Sequence, residues 1–316
     1  MTRYEENGFW RWELRLTLLF LLGCAMLFGC RNVPFYRMTS KASKSLPIRR
    51  EGIVAFERGD LELAEARFEE ALKLNDSDVE TNRYYGETLW RLGKRQEAMD
   101  ALRSAAGKHG AVDAETSLYR SLGEKSLELD NPEEALIWAN KAVDLSPKSV
   151  ACWELRGKVN HELDRPHDAL LDFQRAAHFS VDDRDLLLQI ATLQNELQDY
   201  DSGLATWQCL ERLYPTNHEP AAIFAGKGES YVGLGLYADA ETAYAVAVRY
   251  DPDVPEYRAK LAETSYLQGD YLQALAAIDG ADPDVAADPA CQDLRRIVSE
   301  RLEQIAREPN DSSVVR

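Results

Sequence analysis

Cysteine is scarce in this 316-residue chain: there are five, with no Cys-x-x-Cys pair among them. That composition excludes a disulfide-stapled scaffold and a cysteine-based metal site. Cys24 and Cys30 fall near the start, and Cys152 and Cys209 read as small buried thiols inside helices, with Cys291 left over. Histidine is equally thin, with only His109, His161, His167, His178 and His218. His161 and His167, with Asp168, straddle a turn instead of sharing a helix face at zinc-ligand spacing. No Gly-rich phosphate loop, Gly-x-Ser-x-Gly elbow or paired-carboxylate motif is present, and Gly226-Lys227-Gly228 lacks the rest of a P-loop. The expectation is a protein with no catalytic site, cofactor or metal.

An excess of positive charge is also missing. The net charge is −17. Its distribution is lopsided: the first 50 residues carry nine Lys/Arg against three Asp/Glu, and the remainder carries 28 against 51, a net of −23. A surface this acidic repels nucleic-acid phosphates and suits a basic or polar protein partner. Nor is there a long hydrophobic run. The one apolar stretch, Leu16 to Gly29, has 14 residues, short of the ~20 that a spanning helix needs.

What the chain does have is a pattern that returns seven times. A small residue is followed twelve positions later by alanine, four later by a bulky residue and three later by alanine, as in Gly52-Ala64-Phe68-Ala71, Gly157-Ala169-Phe173-Ala176 and Gly228-Ala240-Tyr244-Ala247. The copies start at Ser45, Val79, Thr116, Val150, Arg184, Ala221 and Pro255, so the spacing is 34 with two exceptions of 37. The three extra residues are Asp113-Ala114-Glu115 and His218-Glu219-Pro220, which are expected in loops between modules.

One module shows the reason for the period. Trp153 to Leu163 forms a first helix, Asp164-Arg165-Pro166 turns the chain, and Ala169, Phe173 and Ala176 share one face of a second helix. The small residues let the helices approach and Phe173 fills the space between them. Prolines such as Pro147, Pro215 and Pro252 follow the second helices, which they cannot continue. Some copies depart from the pattern: Ala139 takes the bulky place in repeat three, Leu102 does so in repeat two, and Gly203 and Leu210 replace the alanines of repeat five.

Asn131-Pro132-Glu133-Glu134-Ala135 with Ala139, Ala142 and Pro147, and Gly59-Asp60-Leu61-Glu62-Leu63-Ala64 with Phe68, Ala71 and Leu74, resemble the tetratricopeptide repeat. The resemblance covers residues 45–283 and implies an all-α fold: a right-handed superhelical solenoid of about seven helix-turn-helix repeats. A C-terminal capping helix is expected over 284–308, with Leu294, Ile297, Val298, Leu302 and Ile305 on its apolar face. Residues 309–316 read as a disordered tail, and 31–44, without sustained helical period, as a linker.

The segment 1–30 reads as a signal peptide or membrane anchor, with Arg3, Arg11 and Arg15 ahead of the apolar run. Leu27-Phe28-Gly29-Cys30 resembles the lipobox of bacterial lipoproteins. That resemblance implies lipidation of Cys30, with Cys24 as the alternative site, and a membrane-anchored chain in the bacterial cell envelope. A short uncleaved single-span signal anchor and an ordinary cleaved signal are the competing readings.

The repeat resemblance further implies that first helices line a concave face that binds protein or peptide partners, through the fifth and ninth repeat positions. Those positions hold Arg83 and Glu87, Arg120 and Glu124, Glu154 and Lys158, then Leu188 and Thr192, with Glu229 and Glu263 further on. The opposite-charge pairs stand at i,i+4, which supports their own helices. They do not resemble the Lys/Asn clamp by which some relatives grip a terminal carboxylate. Glu229 and Glu263, with Tyr266, suit a peptide of basic character. The function expected is that of a membrane-tethered interaction scaffold assisting assembly of an envelope complex; the alternative is a structural, self-associating spacer.

Overall fold

The structure, a computed structural model, describes residues 34–180, 182–215, 218–280 and 283–307. Sixteen helices and no strand occur among the described residues. They are α1 (Pro34–Arg58), α2 (Leu61–Leu74), α3 (Val79–Arg91), α4 (Arg95–Ala105), α5 (Val112–Glu128), α6 (Pro132–Leu145), α7 (Val150–Glu162) and α8 (Pro166–Phe179). Then follow α9 (Arg184–Glu196), α10 (Tyr200–Glu211), α11 (Ala221–Gly233), α12 (Tyr237–Tyr250), α13 (Pro255–Gln268), α14 (Tyr271–Asp279), the single turn α15 (Pro283–Ala286) and α16 (Pro289–Arg307). The chain divides into two compact units, Met1–Ala114 and Glu115–Arg316.

Each helix pair closes on the same turn. The residues Gly59, Gly93, Asp130, Asp164, Gln198, Gly235 and Gly269 all have positive φ, and each is the fifteenth of its repeat. One residue later the backbone N–H reaches back to the carbonyl five residues before it, as in Asp60 to Ala55 at 3.0 Å, Arg165 to Asn160 at 2.9 Å and Leu236 to Tyr231 at 2.8 Å. This left-handed cap satisfies carbonyls the ending helix would leave open. Asp60, Asn131, Asp199 and Asp270 then cap the following helices by accepting from the N–H three residues on.

The sequence pattern is a contact. Gly52 and Phe68, Gly86 and Leu102, Gly157 and Phe173, and Gly228 and Tyr244 are each sixteen residues apart. A Cβ on any of these glycines would stand 2.5–2.8 Å from its bulky partner, so the bare glycine is what lets the ring or branched chain lie across the first helix. The departures are repacked. In repeat three, where Ala139 is small, Leu155 of α7 occupies the place over Gly123. In repeat five the larger Trp207 reaches Gly226 of the next first helix. Gly203 there leaves room for the Asn195 side chain, whose Nδ2 donates to Gly226 O at 2.9 Å and whose Oδ1 accepts from Ser230 Oγ at 2.7 Å.

Two sequence expectations are corrected. The segment 31–44 is not a plain linker, because α1 already runs from Pro34 with Pro47 inside it. The insertion Asp113-Ala114-Glu115 does not loop out but lengthens α5, which starts at Val112. Ala and Glu favour helix, and acidic residues suit a first turn. The apolar run at 16–29, Cys24, Cys30 and residues 309–316 lie outside the described residues. No helix among the described residues is long and apolar enough to cross a membrane.

Candidate binding surface

In the first unit, Arg83 and Glu87 lie half-buried on α3. The Arg83 guanidinium stands 4.1 Å over the Tyr84 ring, which itself stacks on Phe68 at 5.8 Å. Nearby, burial and a hydrogen bond to Glu69 push the Tyr85 hydroxyl pKa up to about 12. These side chains are committed to the local core and its edge.

In the second unit, the expected residues differ in their surroundings. Arg120 pairs with Glu124 of its own helix at 3.1 Å. Tyr266 is half-buried, with its ring 5.4 Å from Tyr271 inside the terminal core cluster. Glu229 is exposed but accepts from Asn195 Nδ2 at 3.1 Å, across to the preceding repeat. Glu154 is half-buried, and that burial raises its carboxyl pKa against the opposing pull of Lys158.

The remaining positions line two openings. The first lies between α7 and α9 with Phe173 of α8 beneath. Its volume is about 300 Å³, and Lys158, His161, Glu162, Leu188, Gln189, Thr192, Leu193 and Glu196 complete the lining. The floor is apolar and buried, with Phe173 at 4% and Leu193 at 2% exposure. Leu188 on the wall is 38% exposed. Its rim is charged, and His161 Nε2 stands 3.2 Å from Glu196 Oε2 across the two first helices. An opening of this size admits one or a few apolar side chains while the rim hydrogen-bonds whatever flanks them. Lys158, Leu188 and Thr192 are first-helix positions named by the sequence. His161, Glu162 and Glu196 were not, because nothing in one repeat reveals which residue of the next will face it.

The second opening, of about 650 Å³, lies between α13 and α16 and contains Glu263. A third opening, between α7 and α8, holds Arg156, Arg165 and Arg175 beside Asp168 and Asp172. There Asp172 is already bound by Arg156 Nη2 at 2.7 Å, Arg156 Nε at 2.9 Å and Asn160 Nδ2 at 2.9 Å, so that cluster is a structural lock. No group of three metal-ligating side chains occurs among the described residues.

Comparison with known proteins agrees with this architecture. Residues 49–114 and 226–290 match the family model described as Tetratricopeptide repeat. Superkiller complex protein 3 of Mus musculus is 24% identical over 192 residues, covering 61% of this chain and 12% of that protein. The DnaJ homolog subfamily C member 7 homolog of Schizosaccharomyces pombe is 27% identical over 176 residues, covering 51% of this chain and 36% of that protein. The chain spans only a minor part of the length of either relative. Among solved structures, the C-terminal part of a TPR repeat-containing protein from Cytophaga hutchinsonii superposes with a TM-score of 0.62 at 14% identity, covering 78% of this chain and 98% of that one. YrrB, described as a TPR protein with an unusual peptide-binding site, gives 0.51 at 18% identity, covering 59% and 93%. These likenesses establish the fold.

Proposed function

We propose that this chain, whose residues 49–114 and 226–290 match the tetratricopeptide-repeat model and whose fold is that of such repeats, is a protein-interaction scaffold tethered to a membrane. In this reading it captures a protein partner on its first-helix face and holds it at the bacterial envelope while a larger complex assembles. The observation that carries capture is the opening between α7 and α9, an apolar floor with a half-exposed leucine under a charged rim. Leu188 leaves 38% of its surface open at the wall, and a partner's apolar side chain would bury that surface at roughly 25 cal/mol per Å².

The test places a photo-crosslinking residue at Thr192 of the full chain in cells. A heterologous adduct is expected, and the charge introduced by Leu188→Glu should cut its yield tenfold or more. Adducts to second copies alone would reject capture in favour of a self-associating spacer. An adduct yield indifferent to Leu188→Glu would reject this opening.

The tether rests on the sequence of residues 1–30. Two apolar-anchoring signals hold a protein at a membrane far better than one, and a diacylated cysteine supplies two chains. Cells fed labelled palmitate should incorporate it into this chain and lose it when Cys24 and Cys30 are both replaced. Absence of label, or label that survives both replacements, would sink the lipid anchor.

A further inference from the structure

We infer that the groove between α13 and α16 is a second docking site, for a basic amphipathic segment of a partner protein. The inference rests on the reading of the chain as a scaffold for proteins but uses a surface separate from the α7–α9 opening.

The groove is two-sided. Its floor is apolar: Val254, Pro255 and Ala259 from the start of α13 face Leu294 and Ile297 of α16. Ile297 is 39% exposed although it sits on the same helix as the fully buried Val298 and Cys291. The helix therefore turns one apolar residue inward and leaves another on the groove wall.

Around that floor stand four carboxylates, Glu256, Glu263, Asp288 and Asp293, against one cation, Lys260. Their existing partners are weak or local. Glu263 meets Lys260 at 3.1 Å on its own helix, with both side chains about half exposed. Asp293 meets Arg296 at 3.4 Å, again on its own helix and highly exposed. Asp288 Oδ1 accepts from the N–H of Ala290 at 2.9 Å, which caps the approach to α16. Glu256 makes no ion pair among the described residues. Exposed pairs of this kind are weak, so an incoming lysine or arginine can exchange for them at little cost.

Charge complementarity then fixes the occupant. A neutral apolar peptide would leave the carboxylates desolvated beside it, which costs free energy. An anionic headgroup or nucleic acid would meet like charge. A segment that alternates an apolar stripe with lysines or arginines satisfies both halves, its apolar face on Ala259, Leu294 and Ile297 and its cations over the acidic rim. A volume of about 650 Å³ accommodates several side chains, which is the payload of one face of two helical turns.

The probe is a fluorescent 14-residue leucine/lysine peptide with helical apolar spacing, compared with the same composition scrambled. It is titrated by anisotropy against the full chain in detergent. The patterned peptide should bind at least tenfold more tightly than the scrambled one and weaken as salt rises. Glu256→Lys/Asp293→Lys should cost a further tenfold or more. Two control substitutions of equal charge, Asp201→Lys/Asp239→Lys, lie outside the groove and should cost less than threefold. Circular dichroism confirms that each variant remains helical. Equal loss in the two double variants would mean attraction to the whole acidic surface and would overturn the site. So would indifference to patterning. Leu188→Glu should leave this titration unchanged while abolishing the Thr192 adduct, so failure of one site is told apart from failure of the other.

Discussion

Replacing Asp172 with alanine is expected to cost about 3–5 kcal/mol, the range for stranding one member of a buried charged pair. Asp172 is 3% exposed and accepts both forks of Arg156 together with the Asn160 amide. Arg156 also donates to Asn140 of α6 at 3.2 Å and stands 4.6 Å over the Trp153 ring. The Trp153 indole N–H, in turn, donates to Pro147 O at 2.8 Å. One carboxylate thus ties α6, α7 and α8. Without it, a guanidinium with a side-chain exposure of 18% loses its counter-charge and keeps only Asn140 and the Trp153 ring, and the buried Asn160 amide loses its acceptor.

The deficit should appear in hydrogen exchange as faster opening of α7 and α8, since repeat arrays lose stability by neighbourhood and not all at once. A double-mutant cycle with Arg156→Ala should be strongly non-additive. The apolar triple variant R156L/N160L/D172L should recover much of the loss, because nothing charged then remains buried. An Asp172→Ala cost below about 1 kcal/mol would show that the network is solvated and unimportant.

The second large effect concerns the glycine–bulky contact. A Cβ at Gly157 would stand 2.6 Å from Phe173 Cε1 and 2.7 Å from Cδ1, and the ring is only 4% exposed, so it can yield only by moving into the α7–α9 opening whose floor it forms. Alanine would be an ambiguous test. Its gain of about 1 kcal/mol in helix propensity over glycine opposes an overpacking cost of about 1–3 kcal/mol. Valine adds two more carbons into the same ring, and Gly157→Val should destabilise by roughly 2–3 kcal/mol in denaturant unfolding. Coupling it to Phe173→Leu should give a double variant less harmed than the sum of the two. Additive losses would mean that the ring and the glycine do not meet in solution.

That contact explains why so much of the fold can be read directly from the letters. A residue pair sixteen apart within one repeat is a local event, repeated from Gly52 and Phe68 to Gly228 and Tyr244, so periodicity alone exposes it. The α1 extension was hidden because residues 34–44 show no alternation of apolar and polar faces and Pro47 breaks the donor series. The insertion before Thr116 was hidden for the opposite reason: three residues between modules look like a loop, yet Ala114 and Glu115 are good helix formers, Asp113 suits a first turn, and together they continue α5.

The binding surface was less legible. Leu188 and Thr192 could be named from their repeat positions, but their pocket needs Lys158 and His161 of the preceding repeat, thirty residues away in sequence. Asn195 reaches Glu229 and Ser230 over a similar distance. Contacts of that separation leave no periodic trace. In α16, the run Arg295, Arg296, Glu300, Arg301 reads as a solvated face, and only the docking of the helix on α13 reveals Ile297 and Asp293 as one side of a groove.

α16 has a consequence for colloidal behaviour. It covers Ala262, Ala274 and Ile278, the patch of α13 and α14 on which the first helix of another repeat would stack. Left open, a patch of that kind offers a head-to-tail contact between copies, which closes into a ring or runs on as a filament depending on its rotation. By occupying that patch, a helix with no repeat of its own makes the protein a poor monomer for a filament, and this restraint lasts only while Val298 and Cys291 stay seated.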